Sequence, residues 1–209
     1  MIEYKVPAEH GLAELVEKRS RFIGQVWCVE SEEEAREKIA ETKSKYHDAR
    51  HSCWSYIIKD GGIMRYSDDG EPQGTAGQPI LEVFRREEIE NVCCVVTRYF
   101  GGILLGAGGL VRAYSSTAKL ALDAAGISVM RMWKRLEIPC TYSLFERIKN
   151  EIAAFGGIIE NVDYGEGVHI KALASEQNAD ELIMRIYDMT SGDIMAAVSG
   201  EEFMGVKQE

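Results

Sequence analysis

NVCCVVTRYFGGILLGAGGLVRAYSSTAKLALDAA, Asn91–Ala125, sets the problem. Its first ten residues, NVCCVVTRYF, form a nearly unbroken apolar run, the pattern of a strand buried on both faces. Five glycines then fall between Arg98 and Arg112. From about Gly108 to Ala125 the spacing turns helical, with Leu110, Ala113, Tyr114, Thr117, Ala118 and Ala121 on one face. A strand, a glycine-rich loop and a helix can together aim backbone N–H groups and a helix N-terminus at an anion. The same order also makes a tight turn that lets a helix pack closely on a strand.

The spacing excludes two standard nucleotide loops. A P-loop needs Lys-Ser or Lys-Thr after its last glycine, and Leu110-Val111 follow Gly109. A dinucleotide fingerprint starting at Gly106 needs glycine or alanine at position 111, which is Val111. Charge is what remains. Between Thr97 and Leu122 there is no acid, but there are Arg98, Arg112 and Lys119. Arg112, Ser115, Ser116 and Lys119 share the helix face away from the core. Arginine suits phosphate because its planar guanidinium binds two oxygens at once. The candidate anion-binding residues are therefore Arg98, Gly101, Gly102, Gly106, Gly108, Gly109, Arg112, Ser116 and Lys119. The competing reading is packing alone, with Arg98 paired to a carboxylate inside the domain.

Upstream, RYSDDGEPQGTAGQP (Arg65–Pro79) gathers Asp68, Asp69 and Glu71 around a turn. Such carboxylates could hold Mg²⁺, a hard cation that takes oxygen ligands. They do not match an EF-hand, and neutralisation of Arg98 or Arg112 is the favoured role. HDARHSC (His47–Cys53) sets two histidines four apart beside a cysteine, but the chain has no C-x-x-C and no H-E-x-x-H. Cys53 lies in a strand-like run, so a buried thiol is expected there rather than a nucleophile or zinc ligand. Neither metal nor cofactor is expected.

Around this centre the first half reads as mixed α and β. GLAELVEKRSRFIGQVWCVE gives two strands about a basic turn, Lys18-Arg19-Ser20-Arg21. SEEEAREKIAETKSKYH is a helix opened by a Ser31/Glu34 capping box. ARHSCWSYIIKDGGIMRYSDD gives two strands around Gly61-Gly62, and GQPILEVFRREE a short helix. The second half is more regular. RLEIPCTY is a strand. SLFERIKNEIAAF is a helix with Ser143 and Glu146 at capping-box spacing, stopped by Gly156-Gly157. GIIENVDY and GVHIKALA form a hairpin. NADELIMRIYDMTSG is a helix with Asn178 as N-cap, and DIMAAVSGEEFM is a last strand. The order βαββαβ is ferredoxin-like. A linker is expected at Val129–Lys134, between an N-terminal domain over residues 1–130 and a C-terminal domain over residues 135–209. The fold class is α+β.

Composition adds bounds. The chain has 209 residues and a net charge of −10, which argues against a chain-wide electrostatic grip on nucleic acid but not against a local basic patch. No apolar run approaches the roughly 20 residues of a membrane span. MIEYKVPAEHGLAELVEKRSR has no apolar centre of the kind a secretory signal carries, and a cytoplasmic protein is expected. Five cysteines, mostly in apolar runs, read as reduced buried thiols.

KRSRFIG (18–24), HDARHSC, SDDGEPQGTAGQPIL (67–81) and VVTRYFGGILLGAGGLVRAYSSTA (95–118) closely resemble the IMPACT/YigZ family. The resemblance covers nearly all of the first half. The second half looks like the small C-terminal domain of bacterial members. The resemblance implies an N-terminal fold similar to domain IV of elongation factor G and to the second domain of a small-subunit ribosomal protein. It also implies a C-terminal domain similar to the ferredoxin-like domains of that factor. Eukaryotic relatives regulate translation by competing for the activator of a stress kinase. They use an additional N-terminal domain for this, so that mechanism does not transfer whole. The function expected from motif and resemblance together is a non-enzymatic, translation-associated regulator that binds RNA or the ribosome through the glycine-arginine loop. The alternatives are a metal-dependent enzyme on a phosphorylated substrate, using Asp68, Asp69 or Glu71, and a module that binds a regulatory protein.

Overall fold

The computed structural model describes residues 3–207. These fall into two compact units. One holds residues 4–129 with 205–207, and the other holds residue 3 with 130–204.

In chain order the first unit opens with β1 (Tyr4–Pro7), β2 (Gly11–Glu17) and β3 (Ser20–Cys28). Lys18 and Arg19, both at positive φ, make a two-residue turn between β2 and β3. Helix α1 (Glu32–Lys45) follows, and the Ser31 hydroxyl accepts the Glu34 N–H as its cap. Next come β4 (His51–Ile58), β5 (Ile63–Ser67), α2 (Gly77–Arg86), β6 (Val92–Tyr99) and α3 (Ala107–Ala125). The sheet order is β2-β3-β6-β4-β5, with every pairing antiparallel.

β6 is the middle strand, and its alternation explains its composition. Val92, Cys94 and Val96 face a core shared with Phe22, Ile80 and Phe84 and with Tyr114 and Ala118 of α3. Cys93 and Val95 face a second core built with Ala35 and Ile39 of α1. An antiparallel sheet covered on both faces thus yields the continuous apolar run usual in parallel sheets. The whole predicted core face of α3 is buried.

The second unit contains most of β7 (Ile127–Cys140), then α4 (Tyr142–Ala154), β8 (Ile158–Tyr164), β9 (Val168–Ser175), α5 (Glu176–Met189) and β10 (Ala197–Lys207). Its strands lie in the order β10-β7-β9-β8, the ferredoxin-like arrangement expected of βαββαβ. Leu136, Ile138 and Ile170 pack with Ile148 and Ile152 of α4 and Leu182 and Ile186 of α5.

Four local expectations need correction. Residues 129–134 are not a linker but part of the continuous strand β7. Its apolar residues Val129 and Trp133 are buried, so Arg131 and Lys134 gave a false break. Ser143 lies inside α4, whose N-cap position is Thr141. Asn178 lies inside α5, where its amide donates to the Phe155 carbonyl, and the N-cap position is Ser175. The last strand starts at Ala197, after a turn in which the Thr190 hydroxyl accepts the Ile194 N–H.

Candidate anion-binding site

The glycine-rich loop ends β6 and starts α3. Gly101 lies against the Lys18-Arg19 turn, and a Cβ there would overlap the Arg19 backbone. The Gly101 N–H donates to the Ser20 hydroxyl at 3.2 Å. This glycine is a packing requirement. Gly106, at φ 73°, is the N-cap of α3, and no side chain caps that helix. Gly108 and Gly109 belong to the first turn of α3 rather than to the loop. The loop also exposes apolar side chains, Phe100, Ile103 and Leu104, which the charge-centred sequence reading passed over.

The arginines and lysine of the sequence motif part company. Arg98, 6% exposed, donates to Glu71 at 2.7 Å and to Ser20 at 3.4 Å. Its guanidinium also lies 5.4 Å from the ring centres of Phe22 and Phe100. Its Nε–H is buried without a partner. Glu71, 8% exposed, accepts a second bond from the Tyr114 hydroxyl at 2.9 Å. Burial pushes that hydroxyl far above its ordinary pKa, so Tyr114 is a fixed donor. Lys119 pairs with Asp123 at 2.7 Å and Glu87 at 3.1 Å. Its bond to Asp123 raises the ammonium pKa. Arg98 thus follows the pairing reading, with Glu71 as its carboxylate, Lys119 is not the free cation expected of it, and among the described residues Arg112 alone of the three carries no ion pair. Ser116 is exposed beside it.

The acidic turn is structural. Asp68 accepts the backbone N–H groups of Gly74 at 2.8 Å, Ala76 at 3.0 Å and Gly77 at 2.8 Å, closing the start of α2. Asp69 accepts from Lys43 at 2.6 Å and from the Ser52 N–H at 2.7 Å. His51 Nδ1–H donates to the Asp69 carbonyl at 2.8 Å. Among the described residues, no group of three or more His, Cys, Asp or Glu side chains is placed to hold a metal ion. Cys53 is buried and donates to the Asp68 carbonyl at 3.0 Å, and burial pushes its thiol up to about 12.

The structure adds cations from elsewhere in the sequence. The Lys18-Arg19 turn stands beside the loop, and the β4 start brings Arg50 and His51 opposite Arg98 through the His51↔Arg98 register. Two clefts flank the loop and share Leu105. One, of about 270 Å³, is lined by Lys18, Glu17, Gly109, Arg112 and Ser116. The other, of about 390 Å³, is lined by Arg50, His51, Arg98, Phe100, Leu104 and the α3 start. Among the described residues, Lys18, Arg19, Arg50 and Arg112 form no ion pair. Only three-dimensional pairing unites them, since they lie on three separate stretches of chain.

Comparison with known proteins fits this arrangement. The Impact N-terminal domain model matches residues 18–122, from the hairpin turn into the last turn of α3, and a domain of unknown function (DUF1949) matches residues 138–193. IMPACT family member YvyE of Bacillus subtilis is 35% identical over 90% of this chain and 88% of its own. IMPACT family member YigZ of Escherichia coli is 31% identical over 85% and 88%. A crystal structure described as a hypothetical protein aligns over 96% of this chain and 98% of its own, with a TM-score of 0.60 and 28% identity. No helix among the described residues is long and apolar enough to cross a membrane. With both domain models in chain order and relatives aligned over most of their length, the chain belongs to the IMPACT family.

Proposed function

We propose that this protein is a translation-associated regulator whose first unit grips RNA phosphates, on the ribosome or free, and that it acts by binding rather than by catalysis. One observation carries the reading. Three cations that form no ion pair among the described residues, Lys18, Arg50 and Arg112, line the two clefts at the start of α3, whose N-terminus is uncapped, and Arg19 follows Lys18 in the turn packed against Gly101. On a chain of net charge −10 this is a local concentration of positive charge. Helix α3 has 19 residues, long enough for its N-terminal N–H groups and dipole to favour an anion. Contacts of this type fix position on a nucleic acid without reading its sequence. Family membership, with the resemblance to translation regulators, supplies the setting.

The test is co-sedimentation with purified ribosomes across a salt series. Binding should fall with salt and weaken sharply in Lys18→Ala/Arg112→Glu, whose side chains are exposed and whose fold should persist. Absence of binding at low salt, or a variant that binds like the parent, removes the proposal. Capture of a partner that survives nuclease would point instead to a protein-binding module.

A further inference from the structure

The 390 Å³ cleft is chemically divided. Phe100, Leu104, Leu105 and Leu110 form an apolar wall, and Leu104 is 82% exposed. Arg50, His51 and Arg98 line the same cleft with the first residues of α3, Gly106 and Ala107, and the Arg98 guanidinium lies 5.4 Å from the Phe100 ring centre. Glu71 also lines the cleft, but its carboxylate is already engaged by Arg98 and Tyr114. His51 gives Nδ1–H to the Asp69 carbonyl, which leaves Nε2 without a protein partner among the described residues. Arg98 keeps a buried Nε–H unsatisfied, although buried polar groups are nearly always paired. An uncapped helix start, an incompletely bonded buried arginine and a free arginine thus meet in one cleft.

We infer that this cleft binds a phosphorylated nucleotide unit, with the phosphate on the α3 N-terminus, Arg98 and Arg50, and the base against Phe100 and Leu104. The volume suits a small ligand that presents one charged and one flat apolar end. Aromatic and apolar side chains accept any base face, so base identity is weakly selected. The inference rests on the RNA reading for its setting and shares Arg50 and the α3 start with it, but not Lys18 or Arg112. Two sources carry the same chemistry, a free nucleoside monophosphate and the 5′-phosphorylated end of an RNA strand.

The experiment is equilibrium titration of the full chain with AMP, adenosine and inorganic phosphate. In parallel, one short oligoribonucleotide is titrated with a 5′-phosphate or a 5′-hydroxyl. Either AMP should bind at least about tenfold tighter than adenosine, or the phosphorylated strand at least about tenfold tighter than its hydroxyl form, the gain expected of charge-assisted bonds. The first result assigns a free nucleotide, and the second assigns a strand end. Ala107→Glu places a carboxylate at the phosphate position while favouring the helix start, so it should abolish the difference without lowering the melting temperature. Leu104→Glu, at an exposed site, repeats the block should the first variant fold poorly. Equal affinity with and without phosphate in both pairs, or binding unaffected by both variants, overturns the inference. Phosphate-dependent binding without ribosome co-sedimentation removes the RNA reading alone, and the converse removes the cleft alone.

Discussion

Glu71→Ala would strand a guanidinium inside the first unit. Arg98 and Glu71 are both more than nine-tenths buried, and their bond is 2.7 Å long. Removing one partner of such a pair typically costs about 3–5 kcal/mol, because the other charge stays buried and uncompensated. Loss of the Tyr114 bond leaves a second buried donor unpaired. For a chain of this size that corresponds to a melting temperature lowered by about 6–20 °C. Thermal unfolding followed by circular dichroism or calorimetry reads it directly. Arg98→Met alone should cost a comparable amount, by leaving the carboxylate unpaired. The double variant Arg98→Met/Glu71→Leu should recover most of the loss, since an apolar pair of similar volume replaces a desolvated ion pair at little net cost. Glu71→Ala melting within about 1 kcal/mol of the parent would refute the argument that the pair is a closed, desolvated unit. So would a double variant as unstable as the sum of the singles. If the recovered double variant also loses phosphate-dependent binding, the pair is retained for the cleft rather than for stability.

Other perturbations probe separate parts. Gly101→Ala should destabilise by more than about 2 kcal/mol in denaturant titration, because its Cβ meets the Arg19 backbone, which a side-chain rotation cannot relieve. Gly108→Ala should stabilise by about 0.5–1 kcal/mol, since Gly108 is helical and the nearest atom to an added Cβ is Arg112 Nη1 at 3.7 Å. Asp68→Ala should cost about 1–2 kcal/mol by leaving three N–H groups at the start of α2 without their acceptor. Alkylation of the native protein at pH 8 should modify Cys28 and spare Cys53, which is buried and whose thiol is pushed up to about 12. Mass spectrometry showing rapid modification of Cys53 would count against its burial.

The sequence made some of this legible and hid the rest, for physical reasons. β6, the α3 core face and the Ser31 cap are local patterns, and each is where periodicity or capping chemistry put it. The βαββαβ order followed from the spacing of turns. Partner choice is a tertiary matter. That the acidic turn neutralises Arg98 or Arg112 is expected from the sequence and holds, but only the fold selects Glu71 and Arg98, 27 residues apart, from the three carboxylates and the two arginines. Lys119 suits a phosphate site by its position in the motif, and only the fold sets Glu87 and Asp123 against it. Arg50 and the Lys18-Arg19 turn join the site only through strand register. Gly108, grouped with the loop by its motif, is helical, and an added Cβ there comes no nearer than 3.7 Å to Arg112 Nη1.

The central place of β6 has a consequence for motion. Its amides are bonded between β3 and β4, and its two faces lie under separate cores. Deuterium should therefore enter Val92–Val96 only when the whole unit opens. Arg98 stands two residues beyond that slow segment, while Ile103 and Leu104 belong to an exposed loop. The cation is held by the central strand, whereas of the apolar wall only Phe100 and Leu104 belong to the exposed loop, Leu105 and Leu110 being part of the core. An anion would meet a ready-made seat, and what rearranges on binding would be the loop that carries Leu104.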